Sequence, residues 1–158
     1  MRLEHRGEYP KDWPAVALRV KVEARWRCVR CRHPFHDMDK RALACDPICD
    51  RLRCRAAAIA ERGGQHNFTV HHLDGDKANV AWWNLLALCN ACHLTIQAKV
   101  IPDRPYLWEH SEWFKPYVAG FYAFYHAGAQ LAREEVGSDL HFYLALGQPW
   151  RSEKTTNV

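Results

Sequence analysis

Two pairs of cysteines stand on the spacing that metal-binding turns use: Cys28 with Cys31, and Cys89 with Cys92. Two thiolates separated by two residues can both reach one ion, at about 2.3 Å for zinc. Two such pairs complete a tetrahedral set of sulfur ligands, and a closed set leaves no coordination position for a substrate. The spacing therefore predicts one structural zinc site.

Histidines stand beside the second pair and on the segment before it. His71 and His72 are adjacent, and His93 directly follows Cys92. Neighbouring residues on a strand point to opposite faces, so His71 and His72 are expected to have different roles. Neighbouring residues at a helix start point about 100° apart, so Cys92 can hold zinc while His93 faces another site. The pattern predicts two adjacent metal centres.

A third set of potential ligands lies between the two cysteine pairs. One four-ligand choice for a second zinc ion is His36, Cys45, Cys49 and Cys54, and His33 is a further imidazole in the same stretch. The spacings match no standard zinc knuckle. Buried free cysteines are the alternative interpretation.

Length and composition bound these interpretations. A chain of 158 residues suits one domain, and 48% apolar with 25% charged residues is typical of a folded globular protein. The 22 basic residues exceed the 18 acidic ones by 4. This modest excess permits a nucleic-acid partner without indicating one.

The N-terminus carries no apolar signal segment, and no run approaches the roughly 18 apolar residues that span a bilayer. We therefore expect a cytoplasmic protein without membrane contact. Thiols stay reduced in that compartment, so the seven cysteines are better interpreted as metal ligands than as disulfides.

The elements that must position these residues follow from local patterns. Apolar spacing predicts a helix over 14–26, and residues 51–62 are the helical part of an otherwise irregular insertion. A run of β-formers predicts a strand over 68–73, closed by a turn. A second extended segment is expected over 84–88 and a helix over 91–100. The predicted order is strand, loop, strand, helix.

The C-terminal third is rich in aromatic residues. Phe114, Tyr117, Val118 and Phe121 recur at helical spacing, which predicts a helix that continues to about residue 133. Ser138 is a potential cap for a last helix over 139–146. The aromatic spacing is more typical of core packing than of base stacking.

Three segments of the chain together resemble the HNH endonucleases, and they occur in the order that this family uses. They are Cys28-Val29-Arg30-Cys31, then Val70-His71-His72-Leu73, then Asn84-Leu85-Leu86-Ala87-Leu88-Cys89-Asn90-Ala91-Cys92-His93. The resemblance spans about residues 26–100, and within the family the chain is similar to the short HNH proteins of phages and prophages. Such proteins act in a bacterial or phage-infected host cell. The insertion between the first two segments departs from the compact family pattern.

The resemblance implies roles for single residues. His71 and His93 would hold one catalytic divalent ion, His72 would be the general base, and Asn84 would orient His72. Mg²⁺, Mn²⁺, Ni²⁺ and Zn²⁺ are all compatible with such a site, because imidazole ligands accept the softer ions. Asn79 lies in the same loop and is an alternative to Asn84. The implied products carry a 3′-hydroxyl and a 5′-phosphate.

The resemblance also implies an α+β fold: a small zinc-stabilised ββα-metal core flanked by an N-terminal helix and C-terminal helices. Within a single domain over 1–158, we expect four parts. They are the N-terminal helix with the first zinc knuckle over 14–31, an insertion over 32–66, the catalytic core over 67–100, and a helical extension over 106–150.

DNA is the implied partner. Lys77 and Lys99 flank the proposed site, and together with Arg30 in the first cysteine pair they could contact the phosphate backbone. Further basic residues concentrate in the knuckle and the insertion: Arg27, Arg32, Lys40, Arg41, Arg51, Arg53, Arg55 and Arg62. A solvated basic face is the alternative. The sequence leaves the oligomeric state open.

Other functions predict different features. A non-catalytic zinc module that binds nucleic acid would use the same cysteines and has no need of His72. A metal-dependent RNase would use the same site on another substrate. A redox protein would use one reactive cysteine pair and leaves the second pair and the histidines unexplained.

Overall fold

A computed structural model describes residues 8–37, 41–99 and 112–146, with the backbone alone over 97–99. These residues form a mixed helix and strand (α+β) fold with a two-stranded sheet. In chain order the elements are α1 (Trp13–Glu23), α2 (Ala56–Glu61), β1 (Phe68–His72), β2 (Leu85–Cys89), α3 (Asn90–Lys99), α4 (Lys115–Ala127), α5 (Arg133–Ser138) and α6 (Leu140–Ala145).

The sheet is an antiparallel pair whose register runs from Phe68 opposite Cys89 to His72 opposite Leu85. Strand β2 is buried along its whole length, because α1 and α3 both contact it. A loop with a 3-10 turn at Trp82–Asn84 joins the strands, and α3 follows β2 without a gap. The predicted order of strand, loop, strand and helix is confirmed.

Helix α1 ends at Glu23, three residues before the predicted end. Arg25 and Trp26 then adopt left-handed backbone angles, with φ of 55° and 53°. This turn directs the chain into the first cysteine pair, where the Val29 N–H donates to the Ala87 carbonyl of β2 at 2.9 Å. The first cysteine pair is thereby fixed to the edge of the sheet.

The insertion is held mainly by turns and isolated bridges, such as Phe35 with Ala42. Its helix begins only at Ala56, later than the predicted residue 51. The reason lies at Asp50, whose side chain accepts the N–H groups of Leu52 and Arg53 and fixes a turn there. The segment that leads to Cys54 is therefore a turn instead of a helix.

The predicted helix through the aromatic segment ends early. Helix α4 stops at Ala127, because Gly128 adopts a left-handed φ of 65° and closes the helix. Arg133 then begins the separate helix α5, and Ser138 is its last residue. The prediction of one helix to residue 133 was wrong, and so was the assignment of Ser138 as the cap of α6, which Asp139 precedes.

Helix α4 packs closely on the 3-10 turn. A Cβ built on Gly120 would lie 2.6 Å from the Trp83 Cβ, so only glycine permits this approach. The Trp83 ring meets the rings of Phe121 and Phe124, each at 5.5 Å between centroids. Phe114, Tyr117 and Val118 are buried in the core, as their spacing predicts.

No helix in the described ranges has the length and apolar character needed to cross a membrane.

Candidate metal centres and histidine cluster

Four cysteines from three elements converge in the core. Cys28 and Cys31 lie on the turn after α1, Cys89 ends β2 and Cys92 lies in the first turn of α3. The four sulfur atoms all lie within 4.8 Å of one another, and those of Cys31 and Cys89 are 3.9 Å apart. A tetrahedral zinc site with Zn–S bonds of about 2.3 Å has S···S edges of about 3.8 Å. These cysteines could hold a metal ion such as zinc.

The surroundings of this site favour thiolates. The Cys92 N–H points at the Cys89 sulfur at 3.4 Å, and the Arg30 Nη1 lies 3.7 Å from the Cys92 sulfur. Hydrogen bonds with Cys28, Cys89 and Cys92 raise the pKa of the Cys31 thiol, and burial adds to this. Burial opposes ionisation of Cys28, but hydrogen bonds from the other three cysteines outweigh it and lower the pKa of this thiol. The four thiols therefore do not ionise independently, and a bound divalent cation would stabilise all four thiolates.

A second group of ligands lies in the insertion: His33, Cys45, Cys49 and Cys54. The His33 Nδ1 is 3.5 Å from the Cys45 sulfur and 3.6 Å from those of Cys49 and Cys54. The Cys45 and Cys54 sulfurs are 3.8 Å apart. Tetrahedral zinc with one nitrogen ligand requires N···S edges of about 3.6 Å and S···S edges of about 3.8 Å. This group too fits a zinc ion.

The histidine of this second group differs from the expected one. His36 was the predicted ligand, but it is exposed and its Nδ1 hydrogen-bonds the Asp37 carbonyl at 2.8 Å. His33 is buried directly after the first knuckle, where its carbonyl accepts the Cys28 N–H at 3.0 Å. That bond fixes His33 beside the first knuckle, where its Nδ1 lies within 3.6 Å of all three cysteine sulfurs, so the predicted ligand His36 is corrected to His33.

Two further contacts tie the insertion to the first knuckle. The Arg27 guanidinium forms a two-pronged ion pair with Asp46, which lies beside Cys45. The Asp50 N–H donates to the Cys31 carbonyl at 2.8 Å. The side-chain hydrogen bond from Arg27 lowers the pKa of the Asp46 carboxyl. These contacts connect the insertion, and with it the second group of ligands, to the residues beside Cys28 and Cys31.

His71 and His93 face each other beside the four-cysteine site. Their ring centroids are 4.7 Å apart at an angle of 66°. Burial, followed by the charges of His93 and His72, lowers the pKa of His71 to about 3, and burial also lowers that of His93. Both rings are thus neutral at neutral pH, which is the form that ligates metal ions. Their nitrogens could be offered to one ion.

His72, the last residue of β1, points elsewhere. Its ring packs against the rings of Trp13, at 4.8 Å between centroids, and Tyr9, at 5.8 Å. The side chain is only 7% exposed, and its Nε2 has no hydrogen-bond partner within the described part of the chain. Burial lowers the pKa of His72, although the charges of Asp74 and Asp76 oppose this. The ring is therefore neutral and able to accept a proton.

Asn84 is fully buried and holds the loop between the strands. Its Oδ1 accepts the Asp74 N–H at 2.9 Å, and its Nδ2 donates to the Asp74 Oδ1 and the Asn79 carbonyl at 2.8 and 2.9 Å. The Lys77 backbone, in this same loop, lies beside the His72 ring, where it opposes the lowering of the His72 pKa by burial. Asn84 thus reaches His72 through the loop and not by direct contact.

Asn79, the alternative to Asn84, has a different place. Its Nδ2 donates to Asp74, and its Oδ1 accepts the Ala81 N–H at 3.2 Å. Both bonds close the loop, so Asn79 shapes the turn.

The residues predicted to contact DNA are dispersed. The Lys77 Nζ lies 5.0 Å from the centre of the Tyr9 ring, close to His72. The Arg30 guanidinium is directed at Cys92, as described above. The Lys99 side chain and Lys40 lie outside the described residues, as do 106–111 and 147–150 of the predicted helical extension.

Two features of the site escaped the sequence analysis. The cover that Tyr9 and Trp13 form over His72 joins residues far apart in sequence, and no local pattern marks it. His66 is also buried, with its ring 4.8 Å from His33 and 5.4 Å from Phe35. The position of His33 two residues after Cys31 was an available signal for its role.

No family model, no curated protein and no solved structure matches this chain.

Proposed function

We propose that this protein is a metal-dependent endonuclease of the HNH type, which hydrolyses DNA phosphodiester bonds. The observation that carries the proposal is the arrangement of three histidines beside a buried four-cysteine site. His71 and His93 face each other at 4.7 Å between ring centroids, while the neutral ring of His72 carries a buried Nε2 that has no hydrogen-bond partner among the described residues. A structural zinc module alone has no need of this arrangement.

In this proposal His71 and His93 hold the divalent ion, which is Mg²⁺, Mn²⁺, Ni²⁺ or Zn²⁺. When bound, such an ion supplies Lewis acidity toward a phosphate oxygen and helps to orient the substrate. Two neutral imidazoles leave further coordination positions open for that purpose. In this proposal the two-stranded sheet and α3 would form the ββα-metal core, with Cys92 and His93 joining the structural and catalytic centres.

His72 accepts the proton of the attacking water in this proposal. A neutral imidazole with a free ring nitrogen is suited to this role. Asn84 fixes the loop over 74–79, and the Lys77 backbone in that loop lies beside the His72 ring. Asn84 is therefore a positioning residue.

The test is plasmid cleavage by the full chain with each divalent metal in turn. The conservative variant is His72→Asn, and His66→Asn is a matched control that removes another buried imidazole. The variants are compared with the wild type at equal zinc content and with equal circular dichroism spectra. We expect metal-dependent cleavage by the wild type and the control, and a loss of on the order of 10²-fold or more in His72→Asn. A wild type that cuts with none of the metals overturns the proposal.

One observation favours a second candidate, a non-catalytic zinc module that binds nucleic acid. His72 is 7% exposed, and Tyr9 and Trp13 cover it. This candidate predicts nucleic-acid binding by a wild type that cuts neither DNA nor RNA. Preferential cleavage of RNA in the same assay would instead identify an RNase.

A further inference from the structure

An open groove of about 650 Å³ lies between α1, the first knuckle and the start of α4. Most of the charged side chains that line the groove are positive. Arg19, Arg25, Arg32 and Arg133 line it, against the single acidic residue Glu23. This balance favours an anionic occupant.

Aromatic rings form one wall of the same groove. Trp82, Trp113 and Tyr117 line it, and the Arg133 guanidinium lies 5.0 Å from the ring centres of both Trp82 and Tyr117. Arginines that alternate with aromatic rings are typical of sites where phosphates and bases of a single strand are bound together. A site for simple anions needs no aromatic wall.

Two of the groove arginines occupy unusual backbone positions. Arg25 has a φ of 55° and Arg32 a φ of 63°, in the left-handed region that favours glycine. The turns at these positions would form more readily with glycine, yet both carry an exposed arginine that lines the groove. Strained residues of this kind are concentrated at functional sites.

We propose that this groove binds a single-stranded segment of nucleic acid, with its phosphates at the arginines and its bases against the aromatic wall. The proposal deepens the proposed function, on which its choice of DNA rests, by specifying an unpaired region in the substrate. Leu85 lines the groove and is the cross-strand partner of His72, so both lie on the same face of the sheet. A bound strand would therefore run along the His72 face.

The experiment measures fluorescence anisotropy of a labelled single-stranded oligothymidine 12-mer with the zinc-loaded full chain and no other added metal. The test variant is Arg25→Gly with Arg32→Gly, because glycine suits both backbone positions and preserves the fold. The control is Arg51→Ala with Arg62→Ala, two exposed arginines of the insertion that lie outside the groove lining. This pair removes the same charge and tests the alternative that the basic residues of the insertion form only a solvated face. Thermal midpoints and zinc content check folding, and Arg25→Asn with Arg32→Asn replaces the glycine variant if its midpoint falls.

We expect the groove variant to bind on the order of tenfold more weakly, with the salt slope of log K reduced by about 1.4, since each single-strand phosphate contact contributes about 0.7. The control should bind within about twofold of the wild type. Equal losses in both variants overturn the proposal, because net charge alone would then explain binding. Equal or tighter binding of the matching duplex overturns it, as does displacement of the oligonucleotide by polyglutamate, which would indicate an acidic peptide as the occupant.

The binding and cleavage experiments together distinguish a failure of the groove proposal from a failure of the nuclease proposal. Groove-dependent binding by a chain that cuts no plasmid supports the groove and contradicts the nuclease. Plasmid cleavage that is unchanged in the groove variant, together with unchanged oligothymidine binding, contradicts the groove and leaves the nuclease in place.

Discussion

The two candidate zinc sites differ in where their ligands come from and in how deeply they lie. The four-cysteine site lies in the hydrophobic core and joins two segments that are far apart in the sequence. Its ligands are 0–1% exposed: Cys28, Cys31, Cys89 and Cys92. The second site collects its ligands from a single stretch, His33 to Cys54, and Cys45 is exposed at the surface. One site therefore closes a long loop through the core, whereas the other closes a short loop at its edge.

This difference indicates separate tasks for the two sites. The four-cysteine site joins the turn after α1 to β2 and α3, so it fixes the position of His93 directly through Cys92. A zinc ion in the second site would hold the insertion at His33, which is itself bonded to the first knuckle. The neighbouring residue Arg32 lines the groove. Loss of the first should unfold the core, and loss of the second should loosen only the insertion.

The largest expected effect belongs to Cys89→Ser. This change removes one of four ligands in the core, and a structural zinc ion can contribute on the order of 10 kcal/mol to folding. We expect loss of the cooperative thermal transition in circular dichroism and loss of bound zinc. Cys45→Ser, at the exposed edge of the other site, is the matched control and should keep a cooperative transition. A Cys89→Ser protein as stable as the wild type would remove the distinction between the sites.

An intermediate effect is expected from Gly120→Ala, which tests packing in a region without metal ligands. The new Cβ would lie 2.6 Å from the Trp83 Cβ, and overpacking of this kind costs about 1–3 kcal/mol. Urea unfolding at saturating zinc measures the change. Gly137→Ala in α5 is the matched control, because its new Cβ meets nothing within 4 Å and alanine favours a helix by up to about 1 kcal/mol. A destabilised Gly137→Ala protein with an unchanged Gly120→Ala protein would contradict this packing.

The smallest effect on global stability, and the sharpest on the second site, is expected from His33→Ala. It should release one zinc ion per chain and expose the insertion to proteolysis, while the core transition in circular dichroism remains. His36→Ala is the control, since its ring is exposed and its Nδ1 hydrogen-bonds the neighbouring Asp37 carbonyl. Loss of zinc from His36→Ala with none from His33→Ala would reinstate the original choice of ligand.

The features that depend on local spacing can be predicted from the sequence. The paired cysteines, the two strands and α3 were predictable, because two-residue spacings and alternating patterns translate directly into turns and strands. The end of α4 at Gly128 was also marked locally, because glycine readily adopts the left-handed backbone that closes a helix.

Other features depend on contacts between distant residues, and spacing does not encode them. Spacing alone does not choose between His33 and His36, whereas the burial of His33 and the hydrogen bond from the Cys28 N–H to its carbonyl do. The cover of Tyr9 over His72 arises from packing between the segment before α1 and the end of β1. The groove likewise needs α1 and α4 in place before its arginines form a cluster.

The central claim is that this chain is organised around two zinc ions of unequal burial. Native mass spectrometry of the zinc-loaded full chain, combined with circular dichroism at rising chelator concentration, tests it most directly. We predict two bound zinc ions, of which the first leaves while the core signal persists and the second leaves together with that signal. A chain that binds fewer than two zinc ions, or that loses both in one step with the fold, would contradict the account.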